Sequence, residues 1–330
     1  MRPMQGFSAS IAVAATVMAV SGAGAEDKPL GTRLVDQMNA LYGAHPAARA
    51  NHATGAVFEG TFTPAQGADA LSAAAFLKGP PTSLTIRFSN AGGVPNAPDT
   101  DPSVGGIRGM AVKFRLPDGG ENDIVALSVN GFPVSTGEEF LAFLQAAGAS
   151  GPDVPKPTPI EQFVASHPAA AAFVGSPKPV AVSYGTQPFF GVNALKFTNA
   201  QGVSKFGRYR IVPKAGAAYV SDDEAAKRSA TALADNLRAS VEKEPVKFRL
   251  MMQVAESGDP TADATKIWPE TRPTVELGEI AITKALDTKK LENGLLFMPT
   301  NLTKGIDVSD DPILNTRTEA YGDSYGRRTK

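Results

Sequence analysis

The 330-residue chain contains no cysteine, which excludes disulfide staples, thiolate nucleophiles, zinc–cysteine sites and cofactors held by a thiolate. Histidine is nearly as scarce: His45, His52 and His167 are the three copies, so chemistry that needs a proton acceptor near neutral pH has few candidates. A block of one charge sign is missing too. Thirty-two basic and 33 acidic side chains give a formal charge of −1, and a polyanion such as nucleic acid finds no electrostatic footprint. The chain also lacks a Gly-x-Gly-x-x-Gly turn after a strand, a phosphate-cradling Gly-Lys-Ser/Thr loop, a His-Glu-x-x-His helix and a Gly-x-Ser-x-Gly elbow. Common nucleotide-binding and hydrolase readings therefore lose their usual support.

What is present is an ordinary globular composition, 42% apolar and 20% charged, enough to bury a deep core. Met1–Ala25 starts with Arg2, runs through an apolar stretch from Ile11 to Val20 and ends in Ala23-Gly24-Ala25. That is the pattern of a secretory signal cut near Ala25. The stretch is too short for a bilayer span, and no later segment approaches one. The expectation is an exported protein, most plausibly periplasmic, with one mature domain over residues 26–330.

Periodicity outlines that domain. Glu26–Ala50 reads as an amphipathic helix ended by Gly43 and Pro46. From His52 to Thr63 the period changes to two, which predicts a strand with His52, Ala56, Phe58 and Phe62 on one face. Alternating runs follow at 82–89, 109–116, 123–130, 188–198, 205–212, 247–255 and 275–283, for about eight strands in all. Helical patterns cover 136–147 and 222–242. Eight antiparallel strands can close into a barrel, although a sandwich stays open at this point.

Three groups of residues stand out. His52, on a face shared with phenylalanines, is expected to point into an apolar interior, where a hydrogen-bonded structural histidine competes with a catalytic one. Arg87 and Ser89 share one face of their strand, opposite Leu84, Ile86 and Phe88. A buried arginine there needs an anion, either an acidic residue of a neighbouring strand or a carboxylate of a bound cofactor. Arg317 and Tyr321 stand at i, i+4 on a helical turn. They read either as a cation stacked on a ring or as a guanidinium stabilising a metal-bound phenolate. His45 and His167 read as turn or capping residues.

Several segments, in order, resemble the haem catalase family. Arg49-Ala50-Asn51-His52-Ala53-Thr54-Gly55-Ala56 is similar to the segment around the family's distal histidine, Ile86-Arg87-Phe88-Ser89 and Arg108–Phe114 to its next strands, and Asn130-Gly131-Phe132-Pro133 to the segment with its distal asparagine. The likeness continues through Asn193–Ala200, Ala264–Pro269 and Phe297–Leu302 to Arg317-x-x-x-Tyr321. It implies an α+β fold: a catalase-like eight-stranded antiparallel β-barrel with added helices, without the C-terminal helical domain of full catalases. It also implies heme b, an iron porphyrin.

On this resemblance His52 is the distal base, Asn130 its hydrogen-bonding partner and Ser89 the residue that orients the imidazole. Tyr321 is the phenolate ligand of the iron and Arg317 its stabiliser. Arg49, Arg87 and Arg328 bind the propionates, and Phe143 lies against the porphyrin, with Phe140 as a nearby competitor. Ser135 and Thr136 stand where the family usually has channel-lining phenylalanines, and Tyr325 where it usually has a histidine. The implied activity is a peroxidase that reduces hydrogen peroxide or organic peroxides with small organic donors and has weak catalase activity, in a monomer or small homo-oligomer. A fatty-hydroperoxide-rearranging enzyme and a haem carrier without turnover are the competing expectations.

Overall fold

The computed structural model describes residues 28–100 and 106–330; the expected signal segment lies outside the described residues. The strands are β1 (Gly55–Pro64), β2 (Thr82–Asn90), β3 (Arg108–Arg115), β4 (Glu121–Leu127), β5 (Phe189–Phe190), β6 (Leu195–Thr198), β7 (Ser204–Pro213), β8 (Val246–Val254), β9 (Thr274–Ala285) and β10 (Ile306–Val308). Their pairing runs β1-β2-β3-β4-β5-β7-β8-β9 and returns to β1, so eight antiparallel strands close a barrel. Closure leaves no free edge on the ring. The barrel is filled by the inward residues of each strand. Phe58, Phe62, Ile86, Phe88, Val112, Phe114, Phe248, Leu250, Ile280 and Ile282 all have no exposed surface.

Two predicted elements divide. The run 188–198 breaks into β5 and β6, which follow one another along the same side of β7. Between them Val192 and Asn193 leave the ladder, and the Asn193 side chain binds Asp311 and Arg317. The pattern 222–242 divides into α5 (Asp222–Ala225) and α6 (Ala232–Val241). The cause is Asp99, whose carboxylate accepts hydrogen bonds from the Leu233 and Ala234 amides and so starts a new helix there.

The remaining helices are α1 (Leu30–Tyr42), α2 (Gly137–Gly148), α3 (Pro159–Ser166), α4 (Pro168–Gly175), α7 (Thr288–Leu291) and α8 (Pro312–Arg328). α1 is shorter than its pattern because Gly43, at φ 89°, ends it. The single turn expected around Tyr321 is part of the 17-residue α8. The short strand β10 and helices α3 and α4 were not among the expected elements.

Helices α1, α2 and α8 form a layer with its own apolar seam of Leu34, Val35, Met38, Leu141 and Leu144, against which Phe140, Phe143 and Ala320 pack. α1 reaches α8 closely because residue 31 is glycine; a Cβ there would collide with Glu319. Instead the Gly31 amide donates to the Glu319 carboxylate at 3.1 Å, which satisfies one of the free amides at the start of α1. Among the described residues no helix is long and apolar enough to cross a membrane.

Candidate active site

Between the outer face of the barrel wall and the helical layer lies a cavity. The outer face follows from the pleat. On β2, Ile86 and Phe88 point into the barrel, so Arg87 and Ser89 must point out, yet both are only 4% exposed because the helices and the 286–297 segment cover them. His52, Arg49, Arg87, Ser89 and Gly109 line the cavity from the barrel side, and Arg317, Tyr321 and Arg328 line it from α8.

His52 does not arrive there as expected. β1 starts at Gly55, and His52 precedes it with φ 57°, a left-handed conformation that costs a non-glycine residue about 1–3 kcal/mol. This turn takes the imidazole out of the barrel's inward register and onto its outer face. Two contacts hold it. Arg87 Nη2 donates to the His52 carbonyl at 2.8 Å, and His52 Nδ1 shares a 2.9 Å hydrogen bond with Ser89 Oγ. Gly109 leaves room for the pair, since a Cβ there would stand 3.0 Å from Ser89 Oγ and 3.1 Å from the ring. Burial pushes the His52 pKa down to about 3, and the nearby Arg87, Arg317 and Arg49 push the same way. The imidazole is therefore neutral at pH 7. In the tautomer whose Nδ1–H donates to Ser89, Nε2 keeps its lone pair as a proton acceptor.

At the other end, Arg317 Nη2 donates to Tyr321 Oη at 3.0 Å, and its Nη1 donates to Asn193 Oδ1 at 2.6 Å. Asn193 Nδ2 in turn donates to Asp311, which caps α8 through the Ile313 amide. Both contacts that the sequence allowed are present, since the Arg317 guanidinium carbon also lies 5.4 Å from the centre of the Tyr321 ring, and both groups border the cavity. Asn193 and Asp311 were not among the expected site residues, because nothing in their local sequence announces an interaction across more than a hundred residues.

The anion that Arg87 requires is Glu292, in the turn after α7. Arg87 Nη2 lies 2.7 Å and Arg49 Nε 2.8 Å from its Oε1. Burial alone would raise the Glu292 pKa, but the guanidiniums of Arg87 and Arg49 outweigh it and lower the carboxyl overall. Arg49 is itself pushed down to about 9 by burial and by Arg87, with Glu292 opposing, so it stays charged at neutral pH. Arg328 Nη2 donates to the Leu295 carbonyl at 2.7 Å, while its buried Nε has no partner.

Other expected residues fall outside the cavity wall. Asn130 sits half-buried in the bend after β4 and is not among the lining residues, although its neighbours Leu127 and Phe132 are. Phe143 packs on Phe140 and Phe163 behind the wall, and it is Phe140 that lines the cavity. Ser135 and Thr136 use their hydroxyls at the start of α2. Thr136 accepts from the Glu139 amide and Ser135 donates to the Glu139 carboxylate, so neither makes the wall polar. His45 and His167 are bonded to the local carbonyls of Tyr42 and Phe163, as turn and capping residues would be.

The residues present fit a haem. The cavity joins one neutral imidazole and one phenol, three guanidiniums cluster at one end, and the partnerless Arg328 Nε marks a place for an anion. Among the described residues no cluster of acidic or histidine side chains could hold a bare metal ion instead.

Comparison with known proteins agrees. The catalase family model matches residues 31–329. A catalase-related peroxidase of Mycolicibacterium paratuberculosis is 36% identical over 300 residues, 89% of this chain and 93% of that protein. One of Synechococcus elongatus is 29% identical over 328 residues, 98% of this chain and 94% of that protein. A crystal structure of a fungal catalase superposes with a TM-score of 0.75 at 20% identity, over 85% of this chain and 59% of the other; at that identity it bears on the fold alone. The chain belongs to the catalase family, oxidoreductases that act on peroxide.

Proposed function

We propose that the protein is a haem-dependent peroxidase that reduces hydrogen peroxide, or small organic hydroperoxides, with small organic electron donors and releases oxygen only weakly. The observation that carries this reading is that His52, Tyr321 and the arginines Arg49, Arg87, Arg317 and Arg328 line one cavity. The two similar full-length relatives are named catalase-related peroxidases, which supports the same reading.

Haem b, when bound, supplies the redox-active iron that takes up and gives back electrons. Tyr321 would be its ligand, with Arg317 holding the phenol oxygen in place through a 3.0 Å hydrogen bond. Arg49, Arg87 and Arg328 take the porphyrin's carboxylates. His52, neutral and held by Ser89, would accept a proton from the peroxide at Nε2 and return it as the O–O bond breaks and water leaves, the two electrons coming by way of the haem from the organic donors. The part of hydrogen-bonding partner falls to Asn130 on family resemblance alone. Export to a periplasm through Met1–Ala25 belongs to the same proposal; N-terminal sequencing of secreted protein tests it, with a start at Glu26 expected.

The test is a side-by-side assay of the haem-loaded protein, with oxygen release measured by electrode and dye oxidation by absorbance. Dye oxidation should dominate; dominant oxygen release would overturn the peroxidase assignment. A fatty hydroperoxide converted with no added donor would instead mark a rearranging enzyme. Loss of peroxide cleavage in His52→Ala separates an enzyme from a carrier, which would keep its binding behaviour.

A further inference from the structure

Among the described residues, Glu292 is the acidic side chain that pairs with Arg49 and Arg87, and it does so without lining the cavity. Its Oε1 lies 2.8 Å from Arg49 Nε and 2.7 Å from Arg87 Nη2, and Arg87 Nε lies 3.0 Å from both of its oxygens. The segment behind it adds more acceptors, because Arg49 Nη2 and Arg328 Nη2 both donate to the Leu295 carbonyl at 2.7 Å. Arg49, Arg87 and Arg328 are thus gathered around four residues of one turn. No aspartate or glutamate is among the residues lining the cavity itself.

We propose that Glu292 is an antagonistic counter-ion of the cofactor site: it stabilises the folded chain by neutralising Arg49 and Arg87, and by the same contacts it lowers the affinity for a porphyrin's acid groups. The inference rests on the reading above, that this cavity takes a dicarboxylic porphyrin. Two buried cations side by side repel one another, and a carboxylate between them removes that cost. Any second carboxylate that approaches the same guanidiniums must share them with Glu292 and is repelled by its charge. By linkage, what one anion gains from the pair the other loses. The arginine pair also bears on the chemistry, since Arg87 Nη2 donates to the His52 carbonyl. Glu292 is therefore a positioning residue that keeps this anchor of His52 fixed whether or not an acid group is bound.

The coupling gives Glu292→Gln two opposite effects. The variant prepared without porphyrin should melt roughly 5–10 °C lower than the parent protein, because a buried charge pair has lost one partner. Its affinity for protoporphyrin IX, read by fluorescence titration of the iron-free compound so that Tyr321 ligation plays no part, should rise roughly tenfold. The dimethyl ester of the same porphyrin should bind parent and variant alike. Equal or weaker binding of the diacid by Glu292→Gln, or an equal gain for the ester, would overturn the proposal. If Glu292→Gln does not fold, Glu292→Asp, which keeps the charge but shortens its reach, should show the same pair of changes at smaller size, and their absence overturns the proposal equally. Failure of the parent protein to bind either porphyrin would instead sink the haem reading, and this inference with it.

Discussion

The two faces of strand β2 carry opposite chemistry within a few residues. Inward, Ile86 and Phe88 have no exposed surface and belong to the hydrophobic cluster that fills the barrel. Outward, Arg87 and Ser89 are equally hidden, but each is there because of a polar partner, Glu292 and His52 respectively. Burial on the inner face is favourable by itself, at about 25 cal/mol per Å² of apolar area removed from water. Burial on the outer face is a cost met by hydrogen bonds and ion pairs. One strand therefore carries apolar burial on one side and the polar contacts of the cavity on the other, so substitutions on the two sides should be read by different measurements.

The largest expected effect is on the outer side. His52→Ala removes the proton acceptor and should lower peroxide consumption about 100- to 10,000-fold, while the melting temperature stays within a few degrees of the parent. A comparable loss of both would mean that the site is part of the folding core. Tyr321→Phe should follow, with reduced haem retention and turnover lower by about 10- to 100-fold, the usual scale for disturbing a metal site; the ratio of Soret to protein absorbance measures the first. Phe88→Ala is the inner counterpart. It should cost about 3–5 kcal/mol of stability, visible in denaturant unfolding, and yet leave turnover per bound haem close to the parent. A collapse of turnover per haem would show that the barrel wall transmits its packing to the pocket.

The inner side of this comparison was open to sequence reading and much of the outer side was not. Alternation along 82–89 and 109–116 locates β2 and β3 within a residue at each end, because a strand with one apolar face must repeat every two residues. The number of such runs allowed a barrel or a sandwich, and the family resemblance implied the barrel. His52, by contrast, was assigned to the inward face because period-two reasoning was carried past the true start of β1, and a left-handed residue breaks the alternation that such reasoning assumes. The i, i+4 spacing of Arg317 and Tyr321 singles out the pair and the family resemblance gives it a role, whereas Glu292, Asn193 and Asp311 act across long separations and leave no period to detect. Phe140 rather than Phe143 borders the cavity, and Phe143 packs instead on Phe163 of α3, a neighbour that local spacing does not reveal.

A smaller effect is expected at Ser89. Ser89→Ala removes one neutral hydrogen bond, worth about 0.5–1.5 kcal/mol, and frees the imidazole to rotate, so turnover should fall only several-fold. No change would mean that the Arg87 contact to the His52 backbone suffices to aim the ring. A drop as deep as that of His52→Ala would give Ser89 a direct part in proton transfer.

At neutral pH the smallest effect is none, and it tests the electrostatics of the pocket. His52 has an ordinary value of 6.5 in the unfolded chain and is pushed down to about 3 in the folded one, by burial first and then by Arg87, Arg317 and Arg49. A depressed folded value means that the unfolded chain binds the extra proton more readily. The contribution of a neutral His52 is then fully present above about 6.5 and is lost as the pH falls from there toward 3. Thermal melts of the parent should steepen in their decline across that window, and His52→Gln, which carries no titrating ring, should decline less. Because the proton acceptor stays unprotonated, peroxide reduction should be flat from about pH 5 to 8. A fall in rate centred near 6.5 would place His52 in water, on neither face of the barrel wall.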